Sequence, residues 1–445
     1  MPRNSRRPRG ATLSNEPNPT LTPGDVAEAV RRLRQVATVR ERCANLTQAV
    51  REGRSEHFTL DESKLDDVAQ RIAALTQSRF PDGRIPLHSR WRHFEAGGID
   101  RLAEVDAKLA GQSHAARARA HIELVLISVL LDAGAGAQWQ YVEHETGQTF
   151  SRSEGLGVAS LRGFLAGAFS SDAGDPCRVD AKALSRLDVP TLAGLFQVRE
   201  VNPLLGLEGR VALLRRLAQA LRAQPDIFTA DGRPGHLFDA LTHHHHAPRL
   251  HNHHVVPGST QHQHQVSAAR LLQALLDAFS GIWPSGQQFL GVPVGDAWAH
   301  PLAGGEGPSA GWVPFHKLSQ WLSYSLVEPF EAAGVHITGL DELTGLPEYR
   351  NGGLLLDAGV IRPRDAEFGA RARVPGEPWV IEWRALTVSL LDALLPRVRA
   401  LLGREDLPLA CLLEGGSWAA GRQIAAERRP GGAPPVTIDS DGTVF

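Results

Sequence analysis

The stretches LTGLPEYRNGGLLLDAGV (residues 343–360) and WVIEWRALTVSLLDALL (residues 379–395) decide how the last third of the chain is read, because each carries charge inside an apolar run. Asn-Gly-Gly at 351–353 permits positive φ, so 347–353 reads as a turn and 354–360 as the strand that follows. On that strand Leu354, Leu356 and Ala358 face one way while Leu355 and Asp357 face the other. In 380–385, read as a second strand, Glu382 and Arg384 share the face opposite Trp383. An unpaired buried charge costs several kcal/mol. Asp357, Glu382 and Arg384 are therefore either an ion pair between neighbouring strands or part of a site.

Outward from these strings, helix dominates. Asp25 is placed to cap a helix through VAEAVRRLRQVATVRERCANLTQAV, whose apolar residues recur at near-helical spacing. Further helices are expected at about 65–77, 115–131, 210–223 and 266–280. Strand signals come late, at 335–340, 354–360, 380–385 and 436–438. There is no internal repeat and no regular βαβ alternation. The expected class is α+β, a predominantly α-helical body with a small C-terminal β-sheet. Residues 1–24, rich in Pro, Asn, Arg and Ser, read as a disordered basic tail. Residues 25–242 form a mainly helical region, 243–265 a histidine-rich surface loop, and 266–445 an α+β region that completes the same globular unit.

Composition excludes several classes. With 445 residues the chain has ample apolar sequence for a core. The longest apolar run, 122–131, contains Glu123 and falls far short of the roughly 20 residues of a membrane span. The basic N-terminus lacks the apolar region of a secretory signal. Cys43, Cys177 and Cys411 are scattered and odd in number, which points to a reducing cytoplasm and away from a thiolate metal site. A net charge of −2 argues against bulk nucleic-acid binding. Only four of the 47 basic residues are lysine, so Lys317, inside the polar-aromatic string PFHKLSQW, carries more information than most.

The segment 243–265 holds nine of the nineteen histidines. Imidazole suits Zn²⁺ or Ni²⁺, but a catalytic metal needs ligands fixed by supporting contacts, and this tract has no periodicity to fix them. It reads as a surface loop, and no metal or other cofactor is expected at the site. IPLHSRWRHFEAGGIDR (residues 85–101) is different. His88, Arg90, Trp91, Arg92, His93 and Glu95 lie between a proline and paired glycines, a density of donors that suits an anion with a Trp to exclude water, or an ion network packed under Trp91. Further on, Lys317, Gln320 and Tyr324 fall on one helical face. All three tyrosines, Tyr141, Tyr324 and Tyr349, sit in polar-aromatic segments, as the lining of a pocket would. GGSWA around Ser417 nearly matches a nucleophile elbow, although the many alternating strands of an α/β-hydrolase are missing.

Taken together, HSRWRHFEAGGIDR, RSEGLGVASL, FQVREVNPLLGLEGR, VPFHKLSQWLSYSL, LTGLPEYRNGGLLLDAGV, IEWRALTV and the terminal SDGTVF resemble the uracil-catabolism protein four family of fungi and bacteria, over roughly residues 33–445. The resemblance implies a role in an oxygen-independent pyrimidine degradation route, after ring opening. The substrate implied is ribosylurea or its 5′-phosphate, a ring-opened pyrimidine nucleoside or nucleotide. The reaction implied is hydrolysis of the bond between the anomeric carbon and a urea nitrogen. The resemblance carries over no catalytic residue.

That reaction builds positive charge on the sugar, so it needs a carboxylate beside the anomeric carbon and a base for water. Urea must be protonated as it leaves, a task for Glu, His or an amide donor. Asp357 and Glu382 are assigned to the sugar and water, and Glu348 or His316 to the leaving urea. Arg90, Arg92, Lys317 and Arg384 are the phosphate candidates. Asn351 and Gln320 are assigned to sugar hydroxyls or urea, and Trp91, His93, Tyr349 and Arg350 complete the binding set. The alternatives are a metal-dependent amidohydrolase acting on the ureido group, or a non-catalytic binding protein for the ring-opened nucleotide.

Overall fold

The computed structural model describes residues 21–132, 134–136, 138–242 and 264–439. The expected basic tail therefore lies outside the described residues up to residue 20, as does the histidine-rich loop apart from His264 and Gln265. The first helix, Pro23–Leu33, is capped by Thr22, and Asp25 closes a reciprocal capping box with it. The one long helix expected from residue 26 is two, because extended backbone at Gln35 (ψ 132°) breaks it before Val36–Arg51.

The body is mostly helical, with small strands, as an α+β class requires. His114–Leu130 packs on Lys317–Ala332, and the 25-residue helix Pro378–Leu402 packs on both Val36–Arg51 and Leu65–Arg79. Tyr349–Asp357 packs on Trp418–Arg428. Buried apolar residues from Val39 to Val436 form one continuous core. Among the described residues the strands pair only two by two, in five small sheets. Val335–Thr338 is a strand as expected, and it runs parallel to His264–Ser267. At 436–438 there is only a single bridge, between Ile438 and Arg373. No helix among the described residues is long and apolar enough to cross a membrane.

Both opening strings are helical, which corrects the strand assignments at 354–360 and 380–385. Tyr349–Asp357 is a helix capped by Glu348, whose carboxylate accepts the backbone N–H groups of Arg350 (2.7 Å) and Asn351 (2.6 Å). Gly352 is there for close approach, since a Cβ on it would stand 2.7 Å from the Trp383 ring. The helix ends where Gly359 takes φ +75°. In Pro378–Leu402 every residue from 379 to 388 is buried, so the helix has no polar stripe and its sequence looks like a buried strand. The GGSWA string also lies in helix, a π-turn Leu413–Ser417 running into Trp418–Arg428, and Ser417 Oγ donates to Asn351 Oδ1 at 2.8 Å. The strand that a nucleophile elbow requires is absent there.

Forked ion pairs tie helices and the segments beside strands together inside the core. Arg101 meets Glu143 at 2.6 Å with neither side chain exposed. Arg384 donates from both terminal nitrogens to Asp296, each at 2.7 Å. Removing one partner of such a pair leaves a buried charge unopposed and costs about 3–5 kcal/mol. Arg384→Met is therefore expected to lower the urea midpoint of unfolding sharply, and adding Asp296→Asn to it should restore part of the loss. A single variant that unfolds like the wild type would show that the pair is not a structural anchor.

Candidate functional site

The string 85–101 forms a tight turn and a short helix, Trp91–Phe94, that drive Arg90 into the core. Its guanidinium is fully buried: Nε donates to Ser128 Oγ (2.6 Å), Nη1 donates to the Ser153 carbonyl (3.1 Å), and Nη1 lies 3.3 Å from Asp132. It also lies 5.8 Å from the centre of the Trp321 ring. His88 and His93 stand against the same indole, each 6.3 Å away between ring centres. His88 Nδ1 lies 2.9 Å from Glu414, which the π-turn brings inward.

Lys317 and Glu348 complete this cluster. Lys317 opens its helix directly after His316, whose φ of 49° turns the chain. Burial, helped by Arg384, pushes the Lys317 ammonium down to about 8, with Glu348 the strongest charge pulling it back up and Asp296 and then Asp132 acting in the same sense. Burial raises the Glu348 carboxyl above its ordinary value, more than the capped N–H groups, Lys317 and His88 lower it. His93 is driven down to about 3 by burial and then by Arg90, so it is neutral at physiological pH. Glu414 is held below its ordinary value, because its His88 hydrogen bond and the Arg79 charge outweigh burial.

The cluster is partly open to solvent, and we infer a recess here: His88 and Glu414 keep 17% exposure and Asp132 9%, although all three lie among core elements. Four buried atoms on its wall have no hydrogen-bond partner among the described residues: Arg90 Nη2, His93 Nδ1, Asp132 Oδ1 and Trp321 Nε1. Most buried polar atoms in folded proteins are paired, and an unpaired set of two donors, one acceptor and an imidazole nitrogen in one place is the lining that a polar ligand completes. Among the described residues no group of three or more His, Cys, Asp or Glu is arranged to hold a metal ion.

Of the residues assigned from sequence, Arg90 and His93 flank Trp321 in this recess, and Lys317 and Glu348 are tied to it by charge, through Asp132 and His88 respectively. The others are engaged elsewhere. Asp357 is forked by Arg429 (2.8 Å from Nη1), and Glu382 accepts from Ser55 and lies 3.4 Å from His300, so the expected carboxylate pair on adjacent strands does not form. Arg384 is forked onto Asp296, and Arg92 is paired with Glu328 and with Glu95 at 2.8 Å. His316 Nε2 lies 2.8 Å from the Leu33 carbonyl oxygen, where it anchors the first helix. Gln320 accepts the Thr344 N–H at 2.8 Å, and Asn351 donates to the Leu346 carbonyl at 3.2 Å, so both pin the segment leading to Glu348. Trp91 packs edge-on against Phe94 and His121. Tyr349 is 37% exposed, with the Arg350 guanidinium 4.9 Å from its ring centre.

Asp132 and Glu414 were missed. Their signal was present, in a lone Asp closing the apolar run ending LVLISVLLD and a lone Glu between paired leucines and paired glycines in LLEGGS.

The comparisons with known proteins bear on the whole chain. A family described as "Protein of unknown function (DUF1688)" matches residues 32–445. The chain belongs to this family. It is 38% identical over 442 residues to "Uracil catabolism protein 4" of Lachancea kluyveri, covering 93% of this chain and 98% of that protein. It is 37% identical over 427 residues to "Protein urg3" of Schizosaccharomyces pombe, covering 94% and 99%. The family resemblance carried by the sequence motifs is thus established over most of the chain.

For this DUF1688 member the recess makes an electrostatic prediction. With only four lysines in the chain, reductive ¹³C-methylation gives a spectrum sparse enough to assign. Lys317 is expected to titrate near 8, and Glu348→Gln should lower that value further, because burial then acts without the opposing carboxylate. A Lys317 titration above 10 in both proteins would place its ammonium in water and dissolve the cluster.

Proposed function

We propose that this chain acts in uracil catabolism as an N-ribosyl hydrolase, cleaving the bond between the anomeric carbon and the ureido nitrogen of ribosylurea or its 5′-phosphate. The pathway role rests on the name of the Lachancea relative, with which the chain aligns nearly end to end. The reaction rests on one observation: two carboxyl groups of unlike environment, Glu348 and Asp132, both act on Lys317 in a recess whose wall carries unpaired polar atoms.

Glycosidic hydrolysis needs an acid for the leaving group and a base for water. Glu348, with its raised carboxyl, supplies the acid. As the C1–N bond breaks with its electron pair going to nitrogen, Glu348 gives that nitrogen its proton, and urea departs. Asp132, steadied by Arg90, faces the ribosyl cation and removes a proton from the water whose oxygen bonds to C1. The products are urea and ribose, or ribose phosphate. Arg90 Nη2 and Trp321 Nε1 offer donors for the urea carbonyl, which must hold more negative charge as the bond breaks. Neutral His93 accepts or donates one hydrogen bond without adding charge. Glu348 keeps the leaving-group role assigned to it or His316 from sequence, and Asp132 takes the roles assigned to Asp357 and Glu382, because the latter pair is committed to Arg429 and to Ser55 and His300.

Incubation with ribosylurea, with and without its 5′-phosphate, is expected to release urea and reducing sugar in equal amounts. Glu348→Gln and Asp132→Asn should each lower kcat by about 10²–10⁴-fold with the fold intact by near-ultraviolet circular dichroism. The wild-type rate should fall as pH rises through about 8, where Lys317 loses its proton, and that limb should vanish in Lys317→Arg. Binding without release from either substrate would make the protein a carrier of the ring-opened compound and end the hydrolase reading.

A further inference from the structure

A second concave surface lies beside the recess and is built of arginine. Arg152, Arg350, Arg422, Arg428 and Arg429 line a cleft of about 490 Å³, floored by the turn at 430–432. The only carboxylate among its lining residues, Glu427, is paired with Arg71 at 2.8 Å, and Arg429 is neutralised by Asp357. Arg152, Arg422 and Arg428 form no ion pair among the described residues. Arg350 is 8% exposed, and its Nε is buried without a hydrogen-bond partner. Arg152 is held at φ 55°, a conformation that a side-chain-bearing residue seldom adopts, where the Thr149–Ser151 strand passes into helix. So many guanidinium groups facing one cleft repel one another in a chain whose net charge is −2, and an anion between them relieves that repulsion.

The position of the cleft says which anion. Two chain segments pass from the recess into it. Ser153 gives its carbonyl to Arg90 and its hydroxyl to Asp132, while its neighbour Arg152 lines the cleft. Glu348 belongs to the recess, while Arg350, two residues on, lines the cleft. We propose that the cleft binds the phosphate of a sugar phosphomonoester whose anomeric carbon lies in the recess, so that the phosphorylated substrate is the preferred one. This rests on the reading of the recess as a ribosyl site.

The test is calorimetric titration of the full chain with ribose 5-phosphate, inorganic phosphate and ribose, at low and high salt, followed by the Arg152→Ser/Arg422→Ser double variant. Both side chains are exposed, so the fold does not depend on them. Ribose 5-phosphate is expected to bind more tightly than either fragment, to weaken with salt, and to lose about tenfold or more in the double variant, the scale of one charge-assisted phosphate contact. Equal affinity for ribose and ribose 5-phosphate, for inorganic phosphate and ribose 5-phosphate, or for wild type and variant, would overturn the proposal. Arginine-dependent binding of ribose 5-phosphate without urea release from ribosylurea phosphate would end the hydrolase reading and leave the cleft assignment standing. Hydrolysis of ribosylurea and its phosphate at the same kcat/KM would do the reverse.

Discussion

The fork between Asp296 and Arg384 is the constraint from which the geometry of the recess follows. One carboxylate accepts both terminal nitrogens of Arg384, the Trp298 indole N–H at 2.7 Å and the backbone N–H of Lys317 at 3.1 Å. Its own backbone carbonyl accepts the N–H groups of Phe315 and His316. A strand, the start of the Lys317–Ala332 helix and the middle of Pro378–Leu402 are thus joined at one residue. Burying such a pair gains little net stability, because desolvation offsets most of the attraction. What it does supply is position. It holds His316 in its left-handed turn, and with it the point from which the Lys317 side chain enters the recess.

Elements with a wet face were legible in the sequence, as was His114–Leu130, buried along most of its length, but Pro378–Leu402 was not. Leu65–Arg79, Leu207–Arg222 and Ala268–Phe279 expose polar stripes and were placed within a few residues. Pro378–Leu402 is buried on all sides through its first three turns, so the 3.6-residue period vanished and β-branched and aromatic residues pointed to strand. Glycine misled in the same way at 351–353. It was read as conformational freedom, whereas at Gly352 its function is to leave room for Trp383.

The same distinction runs through the candidate site. Arg90, His93 and Lys317 were found because they stand in dense polar-aromatic strings. Asp357, Glu382 and Arg384 were chosen because charge within apolar sequence demands a partner, and each has one: Arg429, Ser55 with His300, and Asp296. The rule that located them was sound, but it selects structural ion pairs as readily as catalytic groups. What separates the two is whether several unmatched buried polar atoms gather in one place, as they do around Arg90, Asp132 and Trp321, and that depends on distances no sequence records. Asp132 shows the difference, since one of its oxygens faces Arg90 while the other has no partner.

Recess and cleft divide the electrostatic work in a way that suits a neutral leaving group on an anionic substrate. In the recess Arg90 stands against Asp132 and Lys317 beside Glu348, so in the proposed reaction a developing ribosyl cation would meet carboxyl groups and no unopposed guanidinium. Cationic excess is confined to the cleft. Further arginines in the recess, beyond Arg90 with its Asp132 partner, would oppose the proposed transition state and lower the carboxyl of Glu348. A phosphate held in the cleft as proposed would sit away from the reacting bond, and its binding energy would act on orientation of the sugar, where interactions remote from the chemistry raise kcat as well as affinity. The step from Ser153 to Arg152, and from Glu348 to Arg350, is the covalent link that keeps the two regions in register.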